Sequence, residues 1–289
     1  MAGSSIRKRY TFTGAVPPHF HFLIQRARLT VDFEEHIHSF HELVVITGGT
    51  ATHRVDGRDY FVKAGDIYVF TGNRSHGFFS PKALDLWNIE YAPDILSPVD
   101  DSLRRLAGYQ ALFRIGPAAN GEAPALILSA AGRSETDRII ERIADEYNAK
   151  RSGYEALVTG LFIELVTTLS RLYVPGAAIK TGGITAVAIA ASHIESHFRE
   201  RITMRELSQL AGVTERHVNR LFSEYYGVSP IDYCIRLRVL SAARDLISTE
   251  SSITDIAYDN GFSDSNYFAR CFRRSLGVSP RRYRETNGA

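Results

Sequence analysis

Apolar positions in this chain fall into two regimes. Up to about residue 95 they alternate with polar ones or run in short blocks of strand length; beyond about 134 they recur every three or four residues. Alternation around Phe20, His21, Phe22 and Leu23 predicts a strand, and the alternation in Glu42 to Thr47 passes into a buried run. Asp56-Gly57 is a hairpin signal between 51–55 and 58–62. Ala64-Gly65-Asp66 turns into 67–70, Gly72-Asn73-Arg74 turns again, and 84–91 forms another strand. Many short, evenly spaced strands predict a small barrel or jelly roll.

The stretch 93–132 is less regular, with a short helix near 101–106, a partly buried 109–115 and a loop over 116–124. Ser134 then reads as the cap of a helix with Ile139, Ile140, Ile143 and Tyr147 on one side. After a break at Ser152-Gly153, a second helix carries Leu157, Val158, Leu161, Phe162, Leu165, Val166, Leu169 and Leu172. Such a stripe needs a cover. The two helices are expected to pack on each other and on the barrel, with a dimer seam on what remains. A linker, 174–183, follows: proline, glycines and small residues.

The remainder, 184–289, is helical and repeats itself. Thr203 to Tyr233 and Ser252 to Tyr283 each read as helix, turn, helix, then Gly-Val-Ser-Pro with Tyr three residues after the proline. In the first copy Thr203 pairs with Glu206 as a capping box, Gly212 stops the helix and Thr214 caps the next. In the second, Ser252, Gly261 and Ser263 take those roles, and Tyr267, Phe268, Cys271 and Phe272 form a buried stripe. A helix of about 19 residues, near 28 Å at 1.5 Å per residue, joins the copies. Recognition helices about 34 Å apart enter successive major grooves of DNA, so one chain can read two adjacent segments of double-stranded DNA, with some bending.

Composition changes this picture little. No apolar run approaches a membrane span, and no apolar stretch follows the basic residues of 1–10, so neither membrane nor signal peptide is expected. The two cysteines, Cys234 and Cys271, sit at apolar helical positions and suit buried thiols in a cytoplasmic protein. Net charge is only +2, but every basic residue from 184 onward is Arg, the side chain suited to phosphates and guanine edges.

The chemistry-bearing stretch of the front half is His36-Ile37-His38-Ser39-Phe40-His41-Glu42, with His76 beyond it. On a strand, positions 36, 38 and 42 share one face. Three readings stand: these four line a pocket and hydrogen-bond a polar small molecule; they hold a divalent Zn, Mn or Fe; or they are polar barrel residues without a ligand. His41 alternates to the opposite face and reads as a surface histidine. Trp87 could stack on a sugar or belong to the core.

Two resemblances follow. His36, His38 and Glu42 with Gly49, then Gly65 and His76, resemble the cupin motifs, departing from them at Thr71 and Asn73. Across nearly its whole length the chain resembles the AraC/XylS family of bacterial transcription regulators, most specifically in Gly261 to Phe268 and on to Pro280. The front half is most similar to the rhamnose-operon regulators of that family, in 38–44, the Asp56-Gly57 hairpin and 86–93. The resemblance implies an α+β chain: a cupin-like β-barrel sensor (1–132), a helical dimerisation segment (133–173), the linker, and an all-α domain with two helix-turn-helix motifs (184–289). It implies Arg216, Arg220, Asp264 and Asn266 at bases, and Asn219, Arg270, Arg273 and Arg281 at the backbone or in additional contacts. Asp264 could equally cap its helix, and Arg220 could pair with Glu224. A homodimeric activator is implied, contacting RNA polymerase and requiring no cofactor. Its effector, perhaps a sugar, would lie among His36, His38, Glu42, His76 and Trp87. A metal-dependent cupin enzyme fused to a DNA-binding module, and an effector-independent DNA-binding protein, are the alternatives.

Overall fold

A computed structural model of the protein describes residues 8–12, 17, 19–71, 74–116, 126–173 and 182–288. Most of the expected linker, the turn at Gly72-Asn73 and most of the expected loop over 116–124 lie outside the described residues. The chain divides into two compact units, Met1–Thr185 and Ala186–Ala289.

The first unit is built on one connected sheet: β1 (Lys8–Tyr10), β2 (Phe22–Leu29), β3 (Phe33–His38), β4 (His41–Val55), β5 (Arg58–Lys63), β6 (Asp66–Phe70), β7 (His76–Tyr91) and β8 (Leu126–Ile127). The two long strands, β4 and β7, pair antiparallel from His41↔Tyr91 to Val55↔His76. Near one end they are flanked by β6 and β2; near the other, by β5 and β3. The result is two half-sheets joined through bent strands. The bend lies where the β4–β7 register shifts, between Ile46 and Thr52. Gly49 turns that corner with φ +68°, and a Cβ there would stand 2.0 Å from the Ala83 carbonyl oxygen. Only glycine fits.

Alternation along the strands separates two cores. Val44, Ile46, Tyr68, Phe70, Leu84 and Leu86 face into the barrel. Leu43, Val45, Ile67, Val69, Ile89 and Tyr91 face outward, under α3 (Ala130–Ala149) and α4 (Tyr154–Leu172). Before these come a 3-10 turn (Pro93–Val99), α1 (Asp100–Leu103), α2 (Ala107–Tyr109) and a wider turn over Gln110–Ile115. Each large apolar side chain buried under α3 and α4 contributes about 1.5–3 kcal/mol relative to exposure. Helix α3 begins earlier than Ser134 suggested: Ser129 is its cap and accepts a hydrogen bond from the Gly132 backbone. Of the apolar stripe on α4, Leu157 alone is half exposed, at 50%.

The second unit follows the tandem grammar. Its helices are α5 (Gly182–His197), α6 (Met204–Ala211), α7 (Glu215–Tyr226), α8 (Pro230–Ser248), α9 (Ile253–Asp259), α10 (Ser265–Leu276) and α11 (Pro280–Asn287). Thr203 and Glu206 form the reciprocal capping box of α6, Thr214 caps α7, and Ser229 and Ser279 cap helices that open on proline. Gly212, Gly227 and Gly277 end α6, α7 and α10 in the left-handed region. Gly261 carries φ +81°, and a Cβ there would lie 2.4 Å from the Arg199 carbonyl oxygen.

Two expectations for the second copy are corrected. The cap of α10 is Asp264, whose carboxylate accepts from the Asn266 backbone at 2.8 Å, and not Ser263. Tyr267 is 40% exposed and lies outside the buried stripe, which is Phe268, Cys271 and Phe272. These pack on Val239, Ala242 and Leu246 of α8 and Ile256 of α9. Both cysteines are buried free thiols.

Candidate functional site

The barrel holds a partly open cavity of about 330 Å³. Its floor is the inward face of β7, β4 and β2, because alternation from Glu42 turns Val44 inward on β4, and the register Glu42↔Glu90 turns Asn88 and Leu86 inward on β7. Phe33, Phe40 and Phe78 supply aromatic walls, and Tyr10 at the end of β1, with Thr11 after it, closes one side.

At one end is a knot of imidazoles around a buried carboxylate. Glu42 is 4% exposed, and its Oε2 stands 3.0 Å from His76 Nε2 and 3.4 Å from His38 Nε2. Neither approach is a well-aligned hydrogen bond, so these three atoms converge without satisfying one another. The second nitrogen of His38 faces the Phe40 carbonyl at 2.7 Å, and that of His36 faces the Glu34 carbonyl at 3.0 Å. In their neutral forms both rings therefore donate from Nδ1 and present Nε2 as a lone pair. Phe40 stacks on His38 and Phe70 on His76, with centroids 4.6 and 4.2 Å apart.

Burial and neighbours set the charges. Burial opposes ionisation of Glu42, but the adjacent His76 and His38 outweigh it and hold the carboxyl well below its ordinary range. His38 is likewise opposed by burial and carried upward by Glu42. Burial and the charge of His76 press His36 down to about 4. For Glu90 the balance runs the other way: burial and the nearby Glu42 outweigh the opposing His38 and push it up to about 7.

Of the expected pocket residues, His36, Glu42 and His76 line the cavity, while His38 is fully buried and bonded back to Phe40. Trp87 is a correction. It pairs with Val45 and Arg26, belongs to the outward face of the sheet, and packs toward the helices with the Arg26 guanidinium 5.8 Å from its ring centroid. His41 is also corrected: it is half-buried on that outward face, edge-on to Tyr91, and burial lowers it to about 4. Sequence reasoning missed Glu90 and Asn88, and left His53 undecided. His53 is fully buried, stacked on Phe78 at 4.3 Å, with both ring nitrogens unpartnered.

The donor chemistry fits a divalent ion in part. One ligand atom each from His38, Glu42 and His76 lies within 4.8 Å of the others, all buried and without aligned hydrogen bonds. His36 does not join that set.

In the helical unit, Arg216, Asn219 and Arg220 are exposed on α7, opposite the buried Val218, Leu221 and Phe222. Arg220 pairs with Glu224 at 3.0 Å, an exposed contact of little energetic weight. Asn266, Arg270 and Arg273 are exposed on α10. Arg281 is exposed on α11 and reaches Glu285 at 2.9 Å. Part of the arginine bias is structural. Arg238 donates to the Phe198 and Glu200 carbonyls, and Arg284 donates to those of Leu246 and Ser251.

Comparison with known proteins decides what the two units are. Residues 19–166 match the AraC-like ligand binding domain family, and residues 207–286 match a helix-turn-helix domain family. The chain belongs to the AraC family of transcription regulators. It is similar to the HTH-type transcriptional activator RhaR of Cronobacter sakazakii, 28% identical over 89% of this chain and 88% of that one. It is equally similar to the HTH-type transcriptional activator RhaS of Escherichia fergusonii, 28% identical over 89% of each. Among solved structures, an AraC-type transcriptional regulator from Chromobacterium violaceum is 29% identical over 37% of this chain and 96% of its own, with a TM-score of 0.34. This AraC-family protein is thus a DNA-binding regulator with a ligand-binding half, and not an enzyme.

Proposed function

We propose that this regulator activates transcription when a small sugar occupies the barrel cavity, and that it reads two adjacent DNA segments through α7 and α10. The observation that carries the reading is the barrel cavity with a polar end, in a chain whose other unit exposes arginines on both recognition helices. His36, Glu42 and His76 hold the effector, with His38 positioning Glu42. Arg216 and Arg220 read bases from α7, and Asn266 from α10, since Arg suits guanine and Asn suits adenine. Asp264 spends one oxygen on its cap and offers the other. Asn219, Arg270, Arg273 and Arg281 contact the backbone.

The 19 residues of α8 set the separation of the two readers. The exposed Leu157 face of α4 in the 133–173 segment is the homodimer seam, and RNA polymerase is the partner that activation requires. The effector acts by binding two states of the protein with different affinity.

The test is a fragment spanning 184–289. It is expected to bind a specific duplex at moderate salt without effector, and the full-length protein is expected to bind it in a sugar-dependent way. A folded fragment with no preference over random duplex would overturn the reading.

A second reading is favoured by the converging ligand atoms of His38, Glu42 and His76. A divalent ion held there would organise the ligand end of the cavity as a fixed positive charge. Elemental analysis of the purified protein, expected near one ion per chain under this reading and near zero without it, decides between them.

A further inference from the structure

The two helix-turn-helix copies share one rod, α8, and each holds a different half of it. The N-terminal half belongs to the first copy. The Tyr233 ring centroid lies 5.4 Å from that of Phe222 and 5.0 Å from that of Tyr226, and its hydroxyl donates to the buried Glu195 carboxylate. The C-terminal half belongs to the second copy, where Val239, Ala242 and Leu246 pack with Ile256, Phe268 and Phe272. A helix held in this way sets the distance between two readers, at 1.5 Å per residue. It fixes their mutual angle less firmly, because long helices curve.

A second contact supplies what the rod does not. The turn 198–200 leaves α5 and leads toward α6, so it belongs to the first copy. A helix ends on carbonyls without intrahelical partners, and here α8 satisfies them. Arg238 donates from Nε to the Phe198 carbonyl at 2.5 Å and from Nη2 to the Glu200 carbonyl at 2.6 Å. Cys234 and Ser241 share the face of Arg238 on α8. The Cys234 thiol also donates to the Phe198 carbonyl, at 3.7 Å, and the buried Ser241 hydroxyl accepts from the Arg199 guanidinium at 3.0 Å. The same turn touches the second copy. A Cβ on Gly261 would stand 2.4 Å from the Arg199 carbonyl oxygen, so two backbones meet there. Beside Gly261, the Phe262 ring of the second copy's core has the Arg238 guanidinium 5.8 Å from its centroid. A planar guanidinium loses little freedom for each hydrogen bond it forms, and Arg238 joins the rod, the first copy and the second at one point.

We infer that Arg238, with Arg199 and Gly261, is a clasp that fixes the angle between the two DNA readers and so decides which separation of the two DNA segments the protein accepts. The inference rests on the reading of α7 and α10 as paired readers. Arg238 is a positioning residue, acting on specificity for spacing rather than on affinity for either segment. One base pair inserted between the segments moves the second by about 3.4 Å and turns it about 35° around the duplex. A clasped pair cannot follow that displacement; an unclasped pair follows it by rocking on α8.

The experiment selects duplexes from a random pool with the full-length protein, without ligand and with a mixture of neutral hexoses. Mobility shifts then measure binding to a single copy of the recovered site, at its selected separation and with one base pair added or removed. The unaltered protein is expected to weaken about 10–100-fold on either change. Arg238→Met keeps the apolar stem and loses both donors; it is expected to weaken less than about 3-fold on the same changes and to recover a broader range of separations from the pool. Ile256→Val loosens the second copy's core without touching the clasp and is expected to keep the strict profile, which separates positioning from lost stability. Thermal melts show which variants are folded, and Arg199→Ala, which removes the bond to Ser241, carries the same expectation where Arg238→Met is not. A variant as strict as the unaltered protein would overturn the clasp and leave the paired readers standing. An equal loss at every separation, with the salt slope lowered by about one, would make Arg238 a phosphate contact and also overturn the clasp. No preferred separation in the unaltered protein would overturn the paired readers and the clasp together.

Discussion

Gly49 and Glu42 lie seven residues apart on one strand and do different work. Gly49 makes the barrel by turning β4 through a corner that a Cβ would block at the Ala83 carbonyl. Gly49→Ala is expected to cost about 1–3 kcal/mol for the left-handed backbone and about as much again for the overlap. It should be read as a fall in the thermal midpoint of the sensor unit, and an unchanged midpoint would refute the corner. The buried imidazoles predict a pH dependence. Burial holds His53 well below the ordinary histidine range and is the main cause holding His36 near 4, so both are neutral in the folded chain. Unfolded, they take up protons as pH falls through about 6.5. Between about 6.5 and 4 the unfolded state therefore binds more protons, and stability falls as pH is lowered across that window. His53→Phe should lessen the fall; parallel curves for variant and unaltered protein would contradict it. At this scale the sequence was half legible. His36, His38, Glu42 and His76 announce themselves through the close spacing of the first three, although His36 and His38 lie on β3 and Glu42 opens β4, so the single strand face expected for them is in fact two strands. Glu90 and Asn88 do not, since their facing is set by pairing with a strand some fifty residues earlier, and that register is not written locally. The same missing register put Trp87 on the wrong face.

Elements were more legible than residues, because caps and stops are local. Thr203, Thr214, Ser229, Ser252 and Ser279 cap their helices as their spacing requires. The misses were of the same local kind. Ser263-Asp264 offers two capping residues in a row, and the second is the one that accepts from the helix backbone. Ser134 reads as a cap because the true cap, Ser129, is followed by small residues that carry no periodicity. On α10 and α7 the exposed faces lead to separable expectations. Arg270→Ala and Arg273→Ala should weaken binding to all sequences alike and each lower the salt slope by about one. Arg220→Ala should cost about 1–3 kcal/mol and relax the preference at one base pair, because its pairing with Glu224 is exposed and readily exchanged. Electrophoretic mobility shifts over a salt series separate the two, and a uniform loss from Arg220→Ala would return it to the backbone class.

For the molecule as a whole, the two regimes of hydrophobic pattern became two compact units, one of strands with two covering helices and one of helices alone. That division was legible because alternation and helical periodicity cannot be exchanged without exposing a core. Which ligand joins the two units in function was not legible, because a cavity is made by residues distant in sequence. The central claim is that a molecule in the first unit governs DNA binding by the second. The most direct test is a selection of bound genomic fragments by the full-length protein, repeated with candidate sugars, rhamnose included. A motif of paired half-sites whose enrichment changes with one sugar is the predicted result. A motif indifferent to every sugar would contradict the sugar-controlled account, and no motif at all would contradict the reading of α7 and α10 as the DNA interface.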